Sequence, residues 1–428
     1  MTALQEPSRP SERSRRSDPG PGTSTGPPTG PSASAGADSV RWRDPKRYLW
    51  FLGLVVPLLP FGAYGLVDAT GWSGFWWLGP MWIFVFMPVL DTIGGVDTSN
   101  PPESAVAQLE ADRLYRWATY LFVPIQYASL AWGAWAFTHL DLRWWDQLGL
   151  ALTVGTVSGI AIANAHELGH KPVRFERRLA KVALAPSLYG HFVVEHNWGH
   201  HLRVSTPEDP ASARLGESFW AFLPRTVVGG LRSGWRIQAE AMRRRGLPVW
   251  SPRNDLLIAW ALSVVLFAAL IVAFGVGVVP FLAVQAVFGF SLLEVVNYVE
   301  HYGLLRRRRP DGRYERCLPE HSWNANNVAS NVVLYHLERH SDHHAFPTRR
   351  YQALRHFDDA PQLPSGYALM IGLAYVVPLW RRVMDPRVVA HYDGDVTRAN
   401  IHPPARARVL ARFGAGPEPD PAVSSPAP

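Results

Sequence analysis

The chain runs to 428 residues with a net charge of +7 and one cysteine, Cys317. One thiol excludes an intrachain disulfide framework, a cysteine-built zinc site and an iron–sulfur cluster held by this chain alone. Mean hydropathy lies near zero, but it averages long apolar runs with very polar segments, and the 18 Trp residues point to a lipid–water interface.

Residues 1–40 are rich in Pro, Gly, Ser, Thr and Arg and almost free of large apolar side chains. Such a segment cannot bury enough surface to offset its ordering entropy, and it lacks the apolar stretch of a signal peptide. It is expected to be a disordered cytosolic tail. Residues 403–428 have the same character, which leaves 45–402 as the folded region. Six apolar runs follow one another there, each near the ~20 residues a bilayer crossing takes. They cover about 48–67, 73–90, 115–137, 147–165, 256–276 and 279–298. Pro57, Pro60, Pro80, Pro88 and Pro124 predict kinks. The short linkers joining runs one to two, three to four and five to six hold almost no Lys or Arg, Arg143 excepted. The long segments after runs four and six are loaded with arginine, including Arg243–Arg245 and Arg306–Arg309. The positive-inside rule then puts both termini and both long segments in the cytosol, in a multi-pass protein of the cytoplasmic membrane. The same bias explains most of the basic excess without a nucleic-acid partner.

Histidines cluster on that cytosolic side. His166 and His170 stand in H-E-L-G-H-K, straight after the fourth run. Four residues apart on a helix, they share a face and can reach one metal. His196, His200 and His201 stand in E-H-N-W-G-H-H, again with a spacing of four. His301 ends the sixth run in N-Y-V-E-H-Y-G-L, and His340, His343 and His344 stand in L-E-R-H-S-D-H-H. A lone histidine is more often a packing residue than a ligand, and H-E-L-G-H also fits a zinc protease whose glutamate is the base. Nine histidines exceed the three or four ligands that one zinc takes, so the count suits two metals. Imidazole binds iron, copper, nickel and zinc alike, so spacing does not name the metal. Two groups begin where apolar runs end, which sets the metals near the cytosolic membrane boundary. There a substrate dissolved in lipid arrives sideways while electrons arrive from water. A non-catalytic metal transporter, the alternative of a different class, would instead carry its ligands near mid-membrane on broken helices.

In their order these motifs resemble the membrane alkane 1-monooxygenases (AlkB-type alkane hydroxylases) of the membrane fatty-acid desaturase and hydroxylase superfamily. The resemblance covers roughly residues 45–400. The three-box pattern alone is shared with desaturases, and the box around His301 favours the hydrocarbon hydroxylases. One departure is Glu338, where the family usually has glutamine. The resemblance implies an all-α integral membrane fold of six transmembrane helices with a cytosolic, histidine-rich di-iron cap. It implies terminal hydroxylation of n-alkanes from the membrane to primary alcohols, with O2 and two electrons. The ligands carried over by position are His166, His170, His196, His200, His201, His301, His340, His343 and His344.

Neutral imidazoles leave a metal's charge uncompensated, so nearby carboxylates should orient the rings. Glu167, Glu195, Asp209, Glu300 and Asp342 are the expected ones, with His336, His191 and His321 beside them; a plain helix-surface ion pair is the competing expectation for each acid. In the resembling family the second helix helps set chain length, and Trp82, Ile83 and Phe84 sit at its middle here, one of them expected to face lipid. Electrons should come from a separate rubredoxin reduced by an NAD(P)H-dependent reductase, because the chain holds no Cys-x-x-Cys pair. Arg243–Arg245 and Arg306–Arg309 offer a basic docking surface. A xylene-type hydroxylase or a fatty-acyl desaturase is the alternative within the same chemistry.

Overall fold

A computed structural model describes residues 42–414. Helices dominate, and among the described residues β-structure is confined to isolated bridges. In chain order the longer helices are α1 (Leu49–Thr70), α2 (Ser73–Gly94), α3 (Arg113–His139), α4 (Trp144–Gly169), α5 (Arg174–Leu184) and α6 (Phe219–Arg244). Then come α7 (Asp255–Phe274), α8 (Val276–His301), the short α9 (His340–Ala345) and α10 (Tyr367–Tyr375).

Five helices, α1, α2, α4, α7 and α8, are long and apolar enough to cross a membrane, so the protein is a multi-pass membrane protein. The sixth expected span corresponds to α3. It is a continuous helix of 27 residues, but Arg113, Arg116 and Gln126 dilute its apolar character, and it falls short of the other five. Pro124 sits inside it without ending it. Local signals set several boundaries. The Asn254 side chain accepts from the Leu256 and Leu257 amides and starts α7. Asp112 does the same for α3 through the Leu114 amide, each satisfying backbone donors that the first turn leaves free.

Helix α4 is the spine. Nearly every residue from Gly149 to Leu168 is buried, because small side chains let its neighbours come close. A Cβ on Gly155 would lie 3.0 Å from the Gln285 carbonyl, and one on Gly159 would lie 3.0 Å from the Gly289 carbonyl. Small residues at such spacing let membrane helices pack backbone to backbone. The α4–α8 contact therefore fixes His166 and His301, at the ends of these helices, relative to each other. Helix α2 joins α4 in the same way: the Gly79 amide donates to Thr153 Oγ1 at 2.9 Å, and that hydroxyl donates to the Trp76 carbonyl at 2.7 Å.

Two structural findings differ from the expectations. Residues Arg406–Phe413, assigned to the C-terminal tail, form a helix; Ala405 and Val409 are buried against the core that includes Met384 and Val388. The remainder of that tail and the expected N-terminal tail lie outside the described residues. Within α2, Trp82–Phe86 is a π-helical turn; such turns re-aim side chains and recur at functional sites.

A Cβ on Gly79 would meet the Thr153 Cα at 2.5 Å, whereas one on Gly65 meets nothing within 4 Å. Gly79→Ala should therefore cost about 1–3 kcal/mol through overpacking. A lowered unfolding temperature in detergent, with Gly65→Ala unchanged, is the expected result.

Candidate metal centre

All nine predicted histidines converge at one end of the α4–α8 pair, in two groups. His166, His170, His196, His201 and His343 form one; His200, His301, His340 and His344 form the other. The partition cuts across the sequence boxes. In an α-helix a spacing of four would set His196 and His200 on one face. Residues His196–His200 are instead π-helical, so i and i+5 come together. His196 accordingly pairs with His201, Nε2 to Nε2 at 3.1 Å, and His200 turns to the other group. In α9, His340 and His344 stay together, with Nε2 atoms 2.9 Å apart, while His343 crosses to the first group and lies 3.1 Å from His201. His301 and His340 approach to 3.2 Å.

Every Nε2 in the set points inward. Six lie against another Nε2, and those of His166, His170 and His200 are buried without a partner among the described residues. Nine inward imidazole nitrogens cannot satisfy one another by sharing protons, since a neutral ring offers one donor and one acceptor. Convergent lone pairs of this kind are what a metal requires, so the residues fit the metal site that the sequence predicts. Burial, reinforced by the neighbouring rings, holds the His170, His196, His201, His340, His343 and His344 imidazoles well below their ordinary pKa. They are neutral and ready to ligate.

The outward Nδ1 atoms show what orients the rings. His200 Nδ1 lies 2.9 Å from Asp209 Oδ2, and Asp209 is itself held by the Ser212 hydroxyl at 2.6 Å. Burial opposes charge on both partners, but their pairing outweighs it. The His200 pKa rises, and the Asp209 carboxyl is held down at about 2. His340 Nδ1 lies 3.1 Å from Glu300 Oε1, a close contact without hydrogen-bond geometry. His301 Nδ1 faces the His321 carbonyl at 3.2 Å. No side-chain pattern could have announced that last partner, because it is a backbone oxygen on a loop.

The other expected carboxylates do different work. Glu167 is paired with Lys171 at 3.0 Å, Glu195 with Arg203 at 2.9 Å, and Asp342 with Arg355 at 3.0 Å. All three carboxylates are buried in these pairs rather than lying on a helix surface. His336 joins neither group. Tyr335 and His336 both adopt left-handed backbone, φ +54, which breaks the helical register with His340. Its Nδ1 faces the Tyr351 carbonyl at 2.8 Å, and its ring packs edge-on against Trp50. His321 supplies its carbonyl, and His191 lines a small buried hollow with Glu195, Thr226 and Glu294.

Directly beneath the centre lies a narrow apolar chamber of about 60 Å³, smaller than the roughly 300–1,000 Å³ typical of small-molecule sites. Trp82, Ile83, Leu292 and Val296 line its walls. Ala163 and Leu337, each three residues before a clustered histidine, line its upper end. Phe84 does not belong to it. That side chain is 37% exposed and turns to the outer surface, which makes it the lipid-facing member of the expected trio.

Residues 142–374 match the fatty acid desaturase family model. The chain is 46% identical over 384 residues to an alkane 1-monooxygenase of Acinetobacter baylyi, covering 88% of this chain and 93% of that protein. It is 44% identical to an alkane 1-monooxygenase of Pseudomonas putida, covering 86% and 92%. A xylene/toluene monooxygenase hydroxylase component of Pseudomonas putida is 27% identical, over 74% of this chain. With nine histidines converging above an apolar chamber and this identity along most of its length, the chain belongs to the alkane 1-monooxygenases and is a membrane monooxygenase.

Proposed function

We propose that the two histidine groups hold two non-haem irons and that the chain hydroxylates the terminal carbon of n-alkanes to primary alcohols, using O2 and two electrons. The observation that carries this reading is the apolar chamber whose lining includes Ala163 and Leu337, each three residues from a clustered histidine. A terminal C–H bond is strong and non-polar, so no acid, base or nucleophile can attack it. The bound irons would supply the O2 chemistry that such a bond demands.

The residues supply position and enclosure. Rings held by Asp209 on His200 and the His321 carbonyl on His301 present fixed lone pairs to the centre, with Glu300 close beside His340. The chamber walls exclude water and align an extended chain with its end toward the histidines. Six spans, with α3 as the sixth, put the centre and both termini on the cytosolic side of the inner membrane.

Electrons arrive from a separate rubredoxin and its NAD(P)H-dependent reductase. The arginines first expected to dock it are largely engaged within the chain. Arg306 is buried, with its guanidinium on the Glu315 and Leu202 carbonyls. Arg244 pairs with Glu240, Arg308 with Glu208 and Arg309 with Asp311. A basic cleft carrying Arg174, Arg177 and Arg178 borders His170 itself, with Trp198 exposed beside it. That cleft suits an acidic electron carrier better.

Purified protein supplied with rubredoxin and reductase should contain two irons per chain and consume O2 only when octane or a longer alkane is added. Metal analysis and product chromatography check this, and iron-loaded protein making no 1-alkanol would end the reading. Asp209→Asn should weaken metal retention by roughly 10–100-fold, measured by chelator competition, without loss of helix content. Ile83→Trp narrows the chamber wall. It should shift products toward shorter alkanes, lowering hexadecane against octane turnover by about tenfold, the equivalent of ~1.4 kcal/mol.

A further inference from the structure

A second hollow, of about 510 Å³, opens on the outer face of the helix bundle. It is bounded by α2, α6, α8 and the end of α10, with Leu152 of α4 also in its lining. Trp220 and Val287 at its rim are 56% and 53% exposed. Among the described residues no charged side chain lines it. Since α2 and α8 are membrane spans, this face meets hydrocarbon. With no cation and few donors, the hollow cannot recognise a lipid headgroup; it can accommodate an alkyl chain.

The hollow and the chamber beneath the histidines are neighbours through a thin wall. Ile83 lines the chamber and the next residue, Phe84, lines the hollow. Leu292 lines the chamber and Ser291 the hollow. On α10, Ile371 faces the chamber and Tyr375, one turn later, faces the hollow. The Phe84 and Tyr375 rings meet edge to face at 6.0 Å across this wall.

Several features suit these rings to movement. Phe84 sits on the π-helical turn Trp82–Phe86, where the helix ladder is interrupted. Gly372 presents no side chain to it; a Cβ there would lie 3.8 Å from Phe84 Cδ1. The buried Tyr375 hydroxyl has the Ser291 side chain within reach but makes no hydrogen bond of good geometry to it, so the ring is held only weakly. Its backbone, by contrast, is anchored by the Trp220 indole, which donates to the Tyr375 carbonyl at 3.1 Å.

We propose that this hollow is the portal through which an unbranched hydrocarbon chain passes from the bilayer into the chamber, with Phe84 and Tyr375 as its gate. The inference rests on the hydroxylase reading of the chamber. The test uses the full chain in lipid vesicles with an alkyl diazirine as probe, so that access is read without turnover. Val287→Trp blocks the rim at an exposed position that leaves the core intact, Ser291→Phe blocks the passage more deeply, and Tyr375→Ala opens the gate. Photolysis and peptide mapping report probe reaching Trp82 and Leu292, and octane kinetics are measured on the same preparations.

Both blocking variants should lower chamber cross-linking and lower kcat/KM about tenfold while kcat at saturation and metal content stay unchanged, the signature of impeded access. Tyr375→Ala should raise cross-linking. Unaltered cross-linking in Val287→Trp and Ser291→Phe overturns the portal, as does a wild-type chamber that never takes up the probe. Unaltered cross-linking in Tyr375→Ala overturns the gate. Cross-linking that responds as expected in a protein making no alcohol upholds the portal and refutes the hydroxylase reading instead.

Discussion

The close approach of α4 and α8 is the constraint on which the rest depends. Gly155 and Gly159 on one helix meet the Gln285 and Gly289 carbonyls on the other. In a bilayer apolar side chains gain little by leaving lipid, so tight van der Waals contact must supply the association. Once the backbones touch, the helix ends are fixed, and those ends carry His166 and His301. The same contact leaves a space where the helices diverge from α2 and α10. Leu292 and Val296 of α8 and Ala163 of α4 line that space. Metal centre and chamber thus share one origin: a larger residue at Gly155 or Gly159 would disturb both together.

Above this contact, electrostatics does the sorting. Buried neutral rings cannot by themselves offset the charge of two metal ions. Two carboxylates touch ring nitrogens, one on His200 and one on His340, both in the second histidine group. The first group has no carboxylate on its rings among the described residues; its nearest acids, Glu167 and Glu195, are paired with Lys171 and Arg203. The two histidine groups therefore differ in their surroundings. Asp209, its pKa held at about 2, brings negative charge to the second group through His200.

The helical, membrane-embedded character and the set of nine histidines were legible in the sequence because each rests on a local pattern: an apolar run, or a spacing along one helix. The division of the histidines into groups was not. It depends on a π-helical turn at His196–His200, and no residue type announces one. The failure of His336 to join the cluster depends on two consecutive left-handed residues, Tyr335 and His336, neither of them glycine. Asp342 and Glu167 sit beside ligands in sequence, but adjacency along a helix points side chains in different directions. Their partners, Arg355 and Lys171, decide their roles. The C-terminal boundary failed for a related reason. Arg406–Phe413 is short and carries three arginines, yet Val409 has a ready-made surface to cover.

Glu338 closes the argument, because it departs from the glutamine usual in the resembling family at a position two residues from His340. Its side chain is fully buried. One carboxyl oxygen accepts the Tyr367 amide at 2.8 Å, and the other accepts from Asn331 at 3.0 Å. Burial, and then the nearby Asp91 charge, push its pKa up to about 8. At neutral pH it is therefore mainly the uncharged acid, which has nearly the shape of glutamine and likewise offers both a donor and an acceptor. An ionised carboxylate here would add negative charge beside the second histidine group. The neutral acid adds none, and through Tyr367 and Asn331 it holds the segment before His340 with a side chain of glutamine's shape.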